Sequence, residues 1–210
     1  TIQVQDQLKQ ILNGNIDIEL PPISLSPTTK SLTKKYLIRG GLPLSYLAPD
    51  EDSALLEIQK TFDRGFYPIR SETHSLSDSV AVELSLLHSK EFTYANIIKK
   101  TRVGNRVLIN EVIEALISHG YIGCLLPFLF DENKRTYLKK YFYFDPGLVT
   151  YLSGYRDLNK EIGYKIEGIV YSRLLNHLQF QLTKNKGLYF YKKYSLKSDG
   201  SLRFSKGEVD

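Results

Sequence analysis

The sequence predicts an α+β fold, helical in its first part and mixed helix and strand in its second. Three observations predict it. Apolar residues recur at helical spacing in several blocks. The clearest block is Ile109, Val112, Ile113, Leu116 and Ile117, the i, i+3, i+4, i+7, i+8 pattern of one buried stripe. Two apolar runs at residues 121–130 and 137–144 follow it, separated by the polar turn Asp131-Glu-Asn-Lys-Arg. Hydrophobic residues make up 42% of the 210, enough for a core.

Taken in order, residues 1–13 read as a helix stopped at Asn13-Gly14. Residues 15–20 alternate polar and apolar, as a strand does, until Pro21-Pro22. Residues 24–33 are rich in Ser, Thr and Pro and read as a connector. A helix is expected to begin near residue 33 and to stop at Arg39-Gly40-Gly41-Leu42-Pro43, where two glycines and a proline fix a turn. Asp50-Glu51-Asp52-Ser53 is an acidic helix start, suited to the positive end of the helix dipole. That helix carries Leu55, Leu56, Ile58 and Phe62, and Gly65 and Pro68 are expected to end it. Residues 70–75 are polar and read as a linker.

The next helix opens at Ser77-Asp78, with Val80, Leu84, Leu87 and His88 at helical spacing. Thr93 is expected to cap a short helix over 94–100. Residues 101–104 form a turn, and Asn105 caps a third helix that reaches His119-Gly120. Helix, tight turn, helix and two-stranded ribbon are the parts of a winged helix-turn-helix, expected over residues 76–145. Asp145-Pro146-Gly147-Leu148 then punctuates the chain. Residues 161–181 read as a helix with Ile166, Ile169, Val170 and Leu174 inward. Residues 188–196 and 202–210 read as strands joined at Ser198-Asp199-Gly200.

The charge is unevenly placed. Residues 1–90 hold 9 Lys and Arg against 11 Asp and Glu, whereas residues 91–210 hold 19 against 12. Attraction for a polyanion therefore belongs to the second half. The single Cys124 cannot form an internal disulfide, and His74, His88, His119 and His177 are too dispersed for a zinc pattern. This cysteine usage suits a reducing cytoplasm. No apolar run approaches the roughly 20 residues of a membrane span, so no membrane is expected among the partners. The phosphate-binding pattern G-x-x-x-x-G-K-[ST] and the hydrolase pattern G-x-S-x-G are both absent from the sequence.

Two constellations carry possible chemistry. Lys99, Lys100, Arg102 and Arg106 cluster around the predicted turn, and Lys134, Arg135, Lys139 and Lys140 lie on the ribbon. In a winged helix these positions face the phosphates of duplex DNA. Glu111 and Glu114 on the third helix repel phosphate, and such domains also dock onto proteins, so a protein partner is the rival expectation. The second constellation is Glu167 on a helix with Glu208 and Asp210 on one face of a strand. A helix carboxylate beside a strand aspartate begins a Mg²⁺ site of a metal-dependent nuclease, with Asp210 as a metal ligand. Such a site also needs a Glu-x-Lys on the following strand. The competing reading leaves these carboxylates exposed or paired with lysines such as Lys192 or Lys193.

Several stretches occur in a familiar order. They are Tyr36-Leu-Ile-Arg-Gly-Gly-Leu-Pro43, the helix-turn-helix at 76–120, Lys140-Tyr-Phe-Tyr-Phe-Asp-Pro-Gly-Leu148, Ile166-Glu167, Leu188-Tyr-Phe-Tyr191 and Gly207-Glu-Val-Asp210. Together they resemble the C-terminal part of prokaryotic AAA-type P-loop ATPases. In that family a winged helix is followed by a PD-(D/E)xK nuclease-like domain of unknown function. The resemblance implies the tail of an ATPase module and a connector at 1–30, a helical segment at 31–75, the winged helix-turn-helix at 76–145 and a partial restriction-endonuclease-like α/β domain at 146–210. Glu167 then matches the family's helix carboxylate, and Glu208 and Asp210 match its E-V-D strand. ATP and Mg are implied only for a longer parent, whose ATPase domain becomes a partner of this chain. The P-loop half and the Glu-x-Lys strand do not occur in these 210 residues.

Overall fold

The computed structural model describes residues 26–73, 76–102, 104–127, 138–154, 158–181, 189–190, 194–196 and 202–204. The chain divides at residues 33 and 34. Of the first unit, the described part is residues 26–33, the opening turns of helix α1 (Pro27–Arg39). The readings of residues 1–13 and 15–20 lie outside the described residues.

Helix α1 starts well before the expected position, inside the stretch that reads as a connector. Ser26 Oγ accepts the Thr29 amide at 3.1 Å, and Pro27 occupies the first helical position, where its missing N–H is no loss. Gly40, at φ +75°, ends the helix. A short helix α2 (Pro43–Leu47) follows.

Helix α3 (Glu51–Thr73) corrects a second expectation. Asp50 Oδ1 accepts the Ser53 amide at 2.7 Å, so the start is as read. The helix then runs through Gly65 and Pro68 and takes up residues 70–73 of the supposed linker; residues 74–75 lie outside the described residues. Packing overrides propensity here. Phe62 and Phe66 are buried and stack at 4.5 Å, and Tyr121 meets Phe62 edge-on at 5.5 Å.

Next come α4 (Leu76–Leu86), β1 (Glu91–Phe92), α5 (Tyr94–Thr101), α6 (Arg106–Ser118), β2 (Ile122–Pro127) and β3 (Lys139–Tyr143). Asn105 caps α6 by accepting the amides of Val107 at 2.9 Å and Leu108 at 3.4 Å. Ile109, Val112, Ile113 and Leu116 are fully buried, and Ile117 is half-buried. Strands β2 and β3 pair antiparallel, with Ile122 opposite Tyr143 and Leu125 opposite Lys140. The sequence reading missed β1, which pairs along the other edge of β3 with Glu91 opposite Lys140. Two residues are too few to show a period of two.

The Asp145-Pro146-Gly147-Leu148 stretch opens helix α7 (Pro146–Ser153). It leads to α8 (Leu158–Gln181) and to β4 (Tyr189–Phe190), which runs parallel to β2. The sheet order is β1-β3-β2-β4, and β5 (Tyr194–Leu196) with β6 (Leu202–Phe204) forms a separate antiparallel pair. Together the elements are mainly helical with a small sheet, a coarse α+β arrangement.

Alternation along β3 separates two cores. Tyr141 and Tyr143 join the main one, built with α3 to α7, while Phe142 faces Leu125 and Tyr171. The phase of α8 differs from expectation. Lys165, Gly168 and Tyr171 point inward, and Ile166 and Val170 are 44% and 50% exposed. A Cβ at Gly168 would lie 2.6 Å from His88 Nε2, so a glycine permits this close packing.

Candidate nucleic-acid interface

Helix α5 ends at Arg102, which takes the left-handed conformation at φ +57°. The turn returns the chain to Asn105 and the N-terminus of α6. Lys99 and Lys100 lie in the last turn of α5, and Lys99, Lys100, Arg102 and Arg106 are all exposed. Lys99 and Lys100 thus stand at the negative end of the α5 dipole, and Arg106 opens α6. Among the described residues, Lys99 and Arg102 have no ion-pair partner. Lys100 differs, because its Nζ lies 2.8 Å from the carboxylate of Glu83 on α4.

Tyr94 joins this turn to the ribbon. The Arg106 guanidinium stands over its ring at 5.0 Å from the centroid, and Lys139 Nζ of β3 does so at 5.6 Å. The Tyr94 hydroxyl donates to Asn110 Oδ1 at 2.7 Å. Arg106 and Asn110 are one turn apart on the exposed face of α6, which also bears Glu111 and Glu114. The sequence reading missed Tyr94. An aromatic at the first position of a helix, with basic residues on both flanking elements, is the signal that marked it.

Lys140 is a correction. Its side chain is 3% exposed and its Nζ lies 3.2 Å from Glu167 Oε1 on α8. A phosphate cannot reach it, and it locks β3 to α8 instead. Lys134 and Arg135 lie outside the described residues.

The same pair bears on the carboxylate constellation. Glu208 and Asp210 lie outside the described residues, and Glu167 is engaged by Lys140. No group of three or more His, Cys, Asp or Glu among the described residues could hold a metal ion. Glu167 with Lys140 alone does not fit a divalent cation, since a buried ammonium already neutralises that carboxylate.

Two of the stretches singled out in the sequence, Tyr36–Pro43 and Lys140–Leu148, meet one another. Asp145 Oδ1 accepts the amides of Gly147 at 2.8 Å and Leu148 at 3.1 Å, capping α7, while Oδ2 accepts the Gly41 amide at 2.8 Å. A Cβ at Gly147 would lie 2.5 Å from the Arg39 carbonyl, and one at Gly40 would lie 2.0 Å from Asp145 Oδ1. Ser45 Oγ donates to the Arg39 carbonyl, and the Arg39 guanidinium donates to that of Ala48. Lys165 Nζ donates to the Leu37 carbonyl at 3.0 Å and to Thr150 Oγ1. Burial depresses the Lys165 ammonium to about 8, opposed by the nearby Glu161 and Asp145. These contacts make Arg39–Gly41 and Asp145–Leu148 the two jaws of one clasp.

Beside the clasp is a cavity of about 180 Å³ lined by Leu42, Ile58, Phe62, Tyr121, Phe144 and Leu148 among others. Its walls are largely apolar, with Thr61 and Asp145 also on the lining, and the Asp145 carboxylate is already committed to the clasp. Cys124 is half-buried, and burial raises its thiol above the ordinary range, which argues against a nucleophile. No helix among the described residues is long and apolar enough to cross a membrane. No protein-family model, curated protein or solved structure matches the chain.

Proposed function

We propose that residues 76–145 form a winged helix-turn-helix that binds the backbone of duplex DNA, in the C-terminal part of a cytoplasmic AAA-type ATPase. The element order α4-β1-α5-α6-β2-β3 supports the fold reading, with β1 pairing to the outer edge of the ribbon. One observation carries the function. Exposed Lys99 and Arg102 close α5, exposed Arg106 opens α6, and Lys139 reaches the same tyrosine ring as Arg106. Binding is independent of base sequence. Glu111 and Glu114 are exposed on the face of α6 that would enter the major groove, where they repel phosphate and favour few base contacts. ATP hydrolysis and its Mg belong to the parent's P-loop domain, and no metal-dependent cleavage is assigned to Glu167.

Those two glutamates favour a second reading, in which α6 docks onto a protein partner. Titration of the 210-residue chain with unrelated DNA duplexes across salt concentrations separates the two. Backbone binding predicts a linear fall of log affinity with log salt. Lys99→Ala combined with Arg102→Ala should weaken binding equally on every sequence and flatten the slope by about 2. No binding at about 50 mM salt leaves the protein-docking reading in place.

A further inference from the structure

We propose that Tyr94 is the positioning residue of this interface, holding Arg106, Lys139 and Asn110 in place to donate to phosphodiester oxygens. The inference rests on the DNA-backbone reading above. Tyr94 is 7% exposed, so its ring is covered rather than presented to bases for stacking. What covers it is informative. Arg106 and Lys139 come from two separate elements, α6 and β3, and both cations stand over the one ring. An aromatic face attracts a cation by its quadrupole, and holding a long side chain there removes rotamer freedom before any ligand arrives. The two cations are therefore preordered at the junction of helix and ribbon, where a duplex backbone crosses a winged helix.

The hydroxyl acts on the third group. By donating to Asn110 Oδ1 at 2.7 Å, it occupies one of that oxygen's two lone pairs and fixes the amide on α6. Recognition of adenine by asparagine uses both the oxygen and the nitrogen of that amide. With the oxygen already bonded to Tyr94, that bidentate pose has to compete with the Tyr94 bond. Guanidinium, ammonium and amide N–H₂ can all donate to phosphate oxygens, and the three stand at the end of α6 nearer the ribbon contact, while Glu111 and Glu114 on the same helix face oppose phosphate and limit the contact to this group.

The test is a double-mutant cycle on the full 210-residue chain, reading affinity for a mixed-sequence DNA duplex between about 50 and 200 mM salt. Its members are the wild type, Tyr94→Leu, the pair Arg106→Gln with Lys139→Gln, and all three together. Tyr94→Leu should weaken binding about tenfold and reduce the salt slope by about 1, while adding nothing once both cations are gone. Tyr94→Phe keeps the ring and should keep the salt slope. Because it frees the Asn110 oxygen, it should also raise discrimination between duplexes of different sequence. If Tyr94→Leu weakens binding by the same factor with and without the cations, Tyr94 only supports the fold and the inference falls. Should Tyr94→Leu not fold, Tyr94→Phe decides alone, and unchanged sequence discrimination overturns the proposal. A wild type without salt-dependent duplex binding removes the DNA reading and this inference with it. A wild type that binds while both tyrosine variants behave as wild type removes only the inference.

Discussion

His88 is buried between the end of α4, strand β3 and Gly168 of α8, and its Nδ1 accepts the Tyr143 amide at 3.1 Å. Burial lowers its basicity from 6.5 to about 4, with Lys165 and Lys90 acting in the same sense and the Tyr164 carbonyl opposing them. Between those two values the unfolded chain binds the proton and the folded chain does not, so folding stability rises with pH across that window. The contribution is complete above 6.5 and is lost as pH falls toward 4, about 3 kcal/mol in all. His88→Asn keeps an acceptor for the Tyr143 amide but does not titrate. Thermal unfolding of that variant should therefore start lower at neutral pH and lose less on acidification than the wild type. An equal acid loss in both proteins would place the titration elsewhere. The role of His88 was hidden in the sequence, where it appears only as one more position on a helical stripe. Lys140 was hidden for a similar reason. A lysine on a ribbon reads as exposed, and only the pairing across 27 residues to Glu167 shows where its charge goes. The exposure of Lys99, Arg102 and Arg106 was legible because a basic residue at a helix end or in a turn has little to be buried against.

At the scale of the element, legibility followed how local the cause was. Helix α6 could be read because its cap and its stripe lie within its own residues. Helix α3 was cut short because its continuation depends on Tyr121, which is remote in sequence. A Cβ at Gly65 would stand 2.0 Å from Tyr121 Oη and 3.3 Å from the carbon that bears it. Two effects therefore oppose each other in Gly65→Ala. Helix propensity gains about 1 kcal/mol, and the clash costs about 1–3 kcal/mol in a packed core. The clash should win, and chemical denaturation should show a less stable protein. In the Tyr121→Phe background the oxygen is gone, and the same Gly65→Ala change should be neutral or stabilising. The coupling between the two changes should be about 1–2 kcal/mol. Additive effects would mean that Gly65 serves the helix for another reason. The phase of α8 was misread by the same logic. Ile166 and Val170 have the right spacing for a buried stripe, but Gly168 can approach His88 closely, and that contact turns the helix.

For the whole molecule, the clasp and the cores decide what unfolds together. Asp145 ties Gly41 to the start of α7 across 104 residues of chain, and Lys165 ties α8 back to the end of α1. The main core draws on Ile58 and Phe66 of α3, Leu84 of α4, Ile113 of α6, Tyr143 of β3 and Val149 of α7. No one of those elements can leave without exposing the others. The second core is Leu125, Phe142 and Tyr171 with a few half-buried neighbours, and the β5–β6 pair stands as its own sheet. A two-stranded antiparallel pair is marginal in water unless something packs on it. Native-state hydrogen exchange should therefore be slowest, and uniform, in α3, α4, α6 and β3, where opening requires global unfolding. Amides of β5 and β6 should exchange by local opening that is insensitive to low denaturant. Asp145→Asn puts an amide where Oδ2 accepted the Gly41 N–H, and should cost about 1–3 kcal/mol. If the clasp belongs to the common unit, that loss appears equally at slow amides in α3 and in α6, although neither helix touches the substituted atom. A loss confined to α1 and α2 would instead make the Arg39–Gly41 jaw a separate, earlier-opening piece.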